Sequence, residues 1–149
     1  GMILTKTETR EYDVVEYDPA WLRHYATEEG HLKQIFREQA LRIEHVGATS
    51  VPGLKAQPVI DIMVTVENME GLRERMRDLA MLGYIDKGDH FDNGSRFFSK
   101  MGMMNLYVFP EGHEQAEALM KARDYLRSRP DLVEQCNRGE ISLEAVASS

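Results

Sequence analysis

Cysteine is nearly missing from this chain: Cys136 is the one thiol among 149 residues. Alone it closes no internal disulfide and builds no thiolate metal site, so a reducing, cytoplasmic setting is expected. No apolar run approaches ~18 residues, which excludes a membrane-spanning helix, and no membrane partner is expected. The N-terminus has no charged-then-apolar segment, so no signal peptide is expected, and Gly1 before Met2 reads as a scar of tag removal. Positive charge is short as well. The 18 Lys and Arg face 25 Asp and Glu, for a formal net charge of −7. That balance argues against a nucleic-acid partner held over a broad surface. It leaves room for a local basic pocket, for which Lys55, Arg96 and Lys100 are candidates.

What is present is ordinary for a globular protein, at 42% hydrophobic and 29% charged residues. The length predicts one domain over 11–149, after an extended or disordered stretch at 1–10 that includes the scar. "EYDVVEY" (11–17) reads as a short strand or extended arm. Asp18-Pro19 then starts a helix to about Glu38, with Trp21, Leu22, Tyr25, Leu32, Ile35 and Phe36 near one face. A strand is expected at 41–46 and a loop at 47–58, where Gly47, Pro52, Gly53 and Pro58 forbid regular structure. "VIDIMVTV" (59–66) is β-branched and apolar, as a central buried strand is. Met69, Leu72, Met76, Leu79 and Leu82 mark an amphipathic helix ended by Gly83. A short strand at 84–87, a polar turn at 86–94 and two antiparallel strands, 96–100 and 105–109, follow. Helices at 113–128 and 131–138 complete the order, and the tail beyond Gly139 is at best weakly amphipathic. The elements predict an α+β fold with helices packed on a mixed sheet.

The chemistry concentrates in "RIEHVGATSVPGLKAQPVIDIMV" (42–64). Gly47, Ala48, Thr49 and Ser50 leave the first strand with little bulk, so backbone N–H groups and two hydroxyls can approach an anion. A tight strand connection explains the same residues without a ligand. No Gly-Lys-Ser/Thr follows, so this is not a P-loop. In the second strand, alternation puts Ile60, Ile62, Val64 and Val66 on one face and Asp61, Met63 and Thr65 on the other. A carboxylate in so apolar a run needs a partner, because burying it alone is costly. It either holds the loop or holds a ligand.

The stretch "EHVGATSVPGLKAQPVIDIMV" resembles the GrpB-like family, whose motif reads roughly E-H-(I/V)-G-(S/T)-T-S-V-P-G-L-x-A-K-P-x-I-D-I. "YVFPEGHEQAEALMKARDYLRSRPD" resembles the same family's later block, and the likeness runs from about residue 11 to 138. That family is similar to an outlying branch of the nucleotidyltransferase superfamily, with a DNA-polymerase-β-like core. The resemblance implies a nucleotidyltransferase-like fold in one domain. It also implies a metal site in which two strand carboxylates, two residues apart, hold Mg2+ against a triphosphate.

The second carboxylate is the absence that matters most. It belongs at position 63, which is methionine. The third belongs on a strand such as 105–109, which offers Asn105 and Tyr107 where the family commonly has histidines. Ala48 stands where Ser or Thr is usual, and Gln57 where Lys is usual. A reduced arrangement remains. Asp61 serves as catalytic residue and metal ligand, with either Glu44 or His45 as second ligand. Gly47, Thr49 and Ser50 hold phosphate oxygens, and Arg96 and Lys100 neutralise charge. Mg2+ would arrive with a nucleotide.

The resulting expectation is a nucleotide- or phosphate-binding protein with a degenerate metal site. The alternative is a Mg2+-dependent nucleotidyl or phosphoryl transferase acting on a small molecule, linked to coenzyme A or nucleotide metabolism. Relatives fused to dephospho-coenzyme A kinase motivate that link. Two smaller candidates complete the reading. His24, Glu28 and His31 share a helix face that suits zinc or, more simply, solvent. "RDYLR" (123–127) is either a salt-bridged helix face or a source of arginine for the site, with the structural role preferred. The oligomeric state is open.

Overall fold

The strand read from "VIDIMVTV" is the hub of the fold. In the computed structural model, which describes residues 13–89 and 94–147, it spans Ile60–Val66 as β2 and is buried along its whole length. A strand apolar on both faces needs a layer on each side. β2 pairs antiparallel with β1 (Ala40–Val46) and parallel with β5 (Met104–Pro110). β5 pairs antiparallel with β4 (Arg96–Lys100), and β4 with the short β3 (Ile85–Asp86). The sheet is mixed, in the order β1-β2-β5-β4-β3, and the fold is α+β as expected.

Helix α1 (Ala20–Phe36) begins as its sequence dictates. The Asp18 carboxylate accepts the Ala20 N–H at 2.9 Å, satisfying one of the donors a helix start leaves open. The helix expected from Met69 is divided. Met69–Arg75 winds as a 3-10 helix, with the Asn68 side chain accepting the Glu70 N–H, and only α2 (Met76–Leu82) is α-helical. The tighter coil brings Gly71 against Gln39: a β-carbon there would lie 2.9 Å from Gln39 Nε2. Between β4 and β5, Met101 and Gly102 both have positive φ and Met103 N–H bonds Lys100 O, the geometry of a tight hairpin turn. His113 caps α3 (Glu114–Arg127) through its Nδ1, and Pro130 opens α4 (Pro130–Asn137). The tail makes one more turn of helix, α5 (Leu143–Ala147), and buries Val146.

Two apolar layers enclose the sheet. On one face Ile60, Ile62, Val64, Phe98, Leu106 and Val108 pack with Trp21, Leu32 and Phe36 of α1 and Leu79 of α2. On the other, Val46, Met63, Phe97, Tyr107 and Phe109 lie under Ala116 and Leu119 of α3. The expected N-terminal arm survives in part, since Val15 pairs with Ala56 through hydrogen bonds of 2.9 and 3.1 Å. Residues 1–12, with the expected scar and the start of that arm, and 90–93 of the expected polar turn lie outside the described residues.

Candidate functional site

β1 delivers the chain to Gly47, which takes φ 77° and ψ −174°, a backbone region open essentially to glycine alone. A second constraint reinforces the first: a β-carbon on Gly47 would stand 2.5 Å from Asp61 Oδ2. The loop therefore lies directly on the aspartate. Ala48–Ser50 then make a single 3-10 turn, all buried. Within it the Ser50 hydroxyl donates to Gly47 O at 2.5 Å, and the Thr49 hydroxyl donates to Val59 O at 3.1 Å. The expectation that Thr49 and Ser50 hold phosphate oxygens is corrected by these bonds, because both hydroxyls are spent on holding the loop.

Asp61 is 2% exposed. It pairs across the parallel ladder with Asn105, whose Nδ2 donates to Asp61 Oδ1 at 3.0 Å. Burial pushes its pKa up to about 7, and the Asn105 hydrogen bond pulls the other way. Asn105 is itself 1% exposed, and its Oδ1 has no partner among the described residues. These residues do not fit Mg2+. The ion needs hard oxygen ligands, yet Asn105 turns its N–H2 toward Asp61. Met63, where a second carboxylate would sit, is fully buried in the apolar layer under α3. Among the described residues, no group of three His, Cys, Asp or Glu could hold a metal.

Register settles which side chains share the Asp61 face. Val46 sits opposite Asp61 and Glu44 opposite Met63, so Glu44 is on the aspartate's side. His45 is opposite Ile62 and points the other way. There its ring stacks on Tyr25 at 4.8 Å, and its Nε2 lies 3.0 Å from Thr49 Oγ1. Since that hydroxyl already donates to Val59 O, His45 Nε2–H is the donor. Nδ1 is then bare, with no partner among the described residues. Burial, with the Arg127 and Arg123 charges adding, holds the imidazole pKa down to about 3. His45 is thus a neutral core histidine, and its role as a metal ligand beside Asp61 is corrected.

Arg96 and Lys100 are corrected on the same ground. Phe97 opposite Tyr107 and Ser99 opposite Asn105 occupy the Asp61 face, which sends Arg96 and Lys100 to the other. Arg96 pairs with Asp86 at 3.0 Å, and Lys100 with the buried Glu28 at 2.9 Å. Lys55 pairs with Glu16 at 3.4 Å. The three do not form one pocket. Glu28 also accepts the Tyr84 hydroxyl at 2.6 Å, so it belongs neither to a zinc site with His24 and His31 nor to a solvated face.

The cations that reach the loop come from α3. Arg123, 8% exposed, donates to Glu44 Oε1 at 2.8 Å and to His45 O at 3.0 Å, and it pairs with Asp124. Arg127 Nε donates to Ser50 O at 3.0 Å. The two arginines lie four residues apart on one helix face, so "RDYLR" does send side chains to this loop, and that spacing was the signal for it. The sequence reading missed the groove beside them. Pro52, Gly53, Leu126, Arg127, Pro130, Val133, Glu134 and Asn137 line a volume of about 460 Å3 between the loop and α4. Its walls come from segments about 80 residues apart, which leave no local pattern.

The likeness to known proteins agrees with this architecture. Residues 11–145 match the family described as GrpB protein. The chain is 28% identical over 129 residues to UPF0157 protein YqkA of Bacillus subtilis, covering 85% of this chain and 38% of that protein. It is 35% identical over 119 residues to a UPF0157 protein of Halalkalibacterium halodurans, covering 77% of this chain and 60% of the other. A stretch of 74 residues is 36% identical to dephospho-CoA kinase of Mycolicibacterium paratuberculosis, covering 48% of this chain and 18% of the kinase. The chain thus spans less than two thirds of these relatives' own lengths. The crystal structure of conserved protein GrpB from Enterococcus faecalis superimposes with a TM-score of 0.80 at 25% identity, covering 91% of this chain and 95% of that one. Sequence and fold together lead to one assignment: the chain belongs to the GrpB family.

Proposed function

We propose that this GrpB-family protein binds a nucleotide or another phosphate-bearing small molecule without catalysing metal-dependent transfer. The observation that carries the reading is the convergence of Arg123 and Arg127 on the backbone of the glycine loop, at the carbonyls of His45 and Ser50. In a chain of net charge −7, Arg123 is taken up by Glu44 and Asp124, while Arg127 has no carboxylate ion pair among the described residues, and a guanidinium fixed on a small-residue loop in that way favours an anion. The likeness to part of a dephospho-CoA kinase supports a nucleotide-related ligand. So does the resemblance of the GrpB-like family to an outlying branch of the nucleotidyltransferase superfamily.

The transferase alternative needs a second metal-binding carboxylate near Asp61. Met63 occupies that position within the apolar layer, Glu44 on the same face is held by Arg123 at 2.8 Å, and Asp61 itself is sealed beneath Gly47. What remains resembles a transferase scaffold whose metal face has become core. A melting screen of nucleotides and coenzyme A precursors, each with Mg2+ and with EDTA, tests the proposal. Stabilisation that survives EDTA, with no nucleotide consumed over hours, is the expected result. Turnover of a nucleotide that requires Mg2+ would replace this reading with the enzymatic one.

A further inference from the structure

The groove between the loop and α4 narrows the ligand's chemistry, on the reading that the protein binds a phosphate compound. Its volume of about 460 Å3 falls in the range of small-molecule sites. Pro52, Leu126, Pro130 and Val133 give it apolar walls. Asn137 is committed to structure, since its Oδ1 accepts the Lys55 N–H and its Nδ2 donates to Gly53 O, both at 2.9 Å. Glu134, also in the lining, stands 4.0 Å from Arg138.

Arg127 differs from its neighbours. Arg123, Arg129 and Arg138 each hold a carboxylate. Arg127 makes one hydrogen bond, through Nε to Ser50 O, and has no carboxylate partner among the described residues. That bond fixes the guanidinium while leaving its two terminal nitrogens for another acceptor. Burial and the adjacent Arg123 charge lower its pKa, against the opposing pull of Asp124 and Glu44. The Gly53 N–H, in the same wall, also has no acceptor among the described residues.

We infer that this groove binds a small phosphomonoester, with its phosphate on the Arg127 guanidinium and its apolar or aromatic part against Pro52, Leu126, Pro130 and Val133. One arginine without an ion pair among the described residues matches one phosphate group rather than a triphosphate, and a planar guanidinium fork suits two phosphate oxygens. The geometry assigns the binding to the outer side of the loop, away from Asp61.

The test is calorimetric titration with AMP, adenosine and inorganic phosphate of the parent protein and of Arg127→Gln, Arg127→Lys and Arg138→Gln. AMP is expected to bind more tightly than either of its parts. Arg127→Gln is expected to lose about 10- to 100-fold in AMP affinity, the cost of one charged hydrogen-bonding group. Arg127→Lys should recover part of that loss, and Arg138→Gln, with the same change in net charge, should bind as the parent does. If Arg127→Gln fails to fold, amide spectra of the parent titrated with AMP decide, and shifts confined to residues outside 52–53 and 126–137 overturn the assignment. Equal AMP affinity in the parent and Arg127→Gln overturns it as well, while leaving phosphate-compound binding intact. Failure of any phosphate or nucleotide to bind the parent overturns both this assignment and the reading beneath it.

Discussion

Replacing Asp61 with asparagine should make the protein more stable, and only above acidic pH. In the folded protein the carboxyl titrates at about 7, against 3.8 for the ordinary group. The folded state therefore holds the proton more tightly than the unfolded chain does. The stability this contributes is fully present below pH 3.8 and is lost as pH rises through 7. A difference of that size corresponds to about 4 kcal/mol at most, which for a chain of this length is a melting-temperature change of about 10 °C. An asparagine side chain carries no charge to desolvate. Its amide oxygen can accept the Asn105 N–H2 that Asp61 now receives, and its own N–H2 can donate to the bare Asn105 Oδ1. Melting curves of the parent and Asp61→Asn between pH 4 and 9 measure the difference. Near pH 4 the two should agree, and by pH 8 the variant should melt several degrees higher. His45 titrates in both proteins and cancels in the comparison. A variant less stable than the parent at pH 8, or a difference flat across the range, would overturn this expectation, because either means that the ionised Asp61 has stabilising partners beyond the Asn105 N–H2.

Three further outcomes follow from the same geometry. Gly47→Ala should lose about 2–5 kcal/mol in a urea melt, from a glycine-only backbone conformation together with overpacking against Asp61; a loss under about 1 kcal/mol would show that the loop can lift off. Met63→Asp places a second unpaired carboxylate in the layer under α3 and should lose about 3–5 kcal/mol or fail to fold. Mg2+-ATP should not restore it, and a melting temperature that climbs with the titration would reveal a latent metal site. His45, neutral when folded with a pKa of about 3 against an ordinary 6.5, contributes stability that is present above pH 6.5 and is lost as pH falls toward 3. A His45→Gln variant should therefore show a shallower loss between those limits, as read by the slope of stability against pH.

Much of this fold was legible because its strongest signal is long. An apolar, β-branched run such as 59–66 has few alternatives to a central strand, and alternation correctly separated Asp61 and Met63 from Ile60 and Ile62. Alternation does not say how strands pair, and a one-residue slip reverses every face. That is why the sequence left Glu44 and His45 open until Val46 was seen opposite Asp61. It is also why Arg96 and Lys100 were expected on the wrong side of the sheet. Glu28 looked solvated because its helix is polar around it, and its partners Tyr84 and Lys100 lie 56 and 72 residues away. The glycine loop was recognised, but its hydroxyls were assigned to a ligand when the loop itself uses them. The "RDYLR" arginines had the spacing to reach one surface, yet which surface depended on where α3 crosses the end of β1.

We propose that a phosphate-bearing ligand binds at Arg127 and that Asp61 holds no metal. Calorimetric titration of AMP into the parent and into Asp61→Asn, each with Mg2+ and with EDTA, tests it most directly. Four affinities that agree within about threefold are expected, because neither the ion nor the carboxylate contributes. Binding that appears only with Mg2+ and disappears in Asp61→Asn would contradict it.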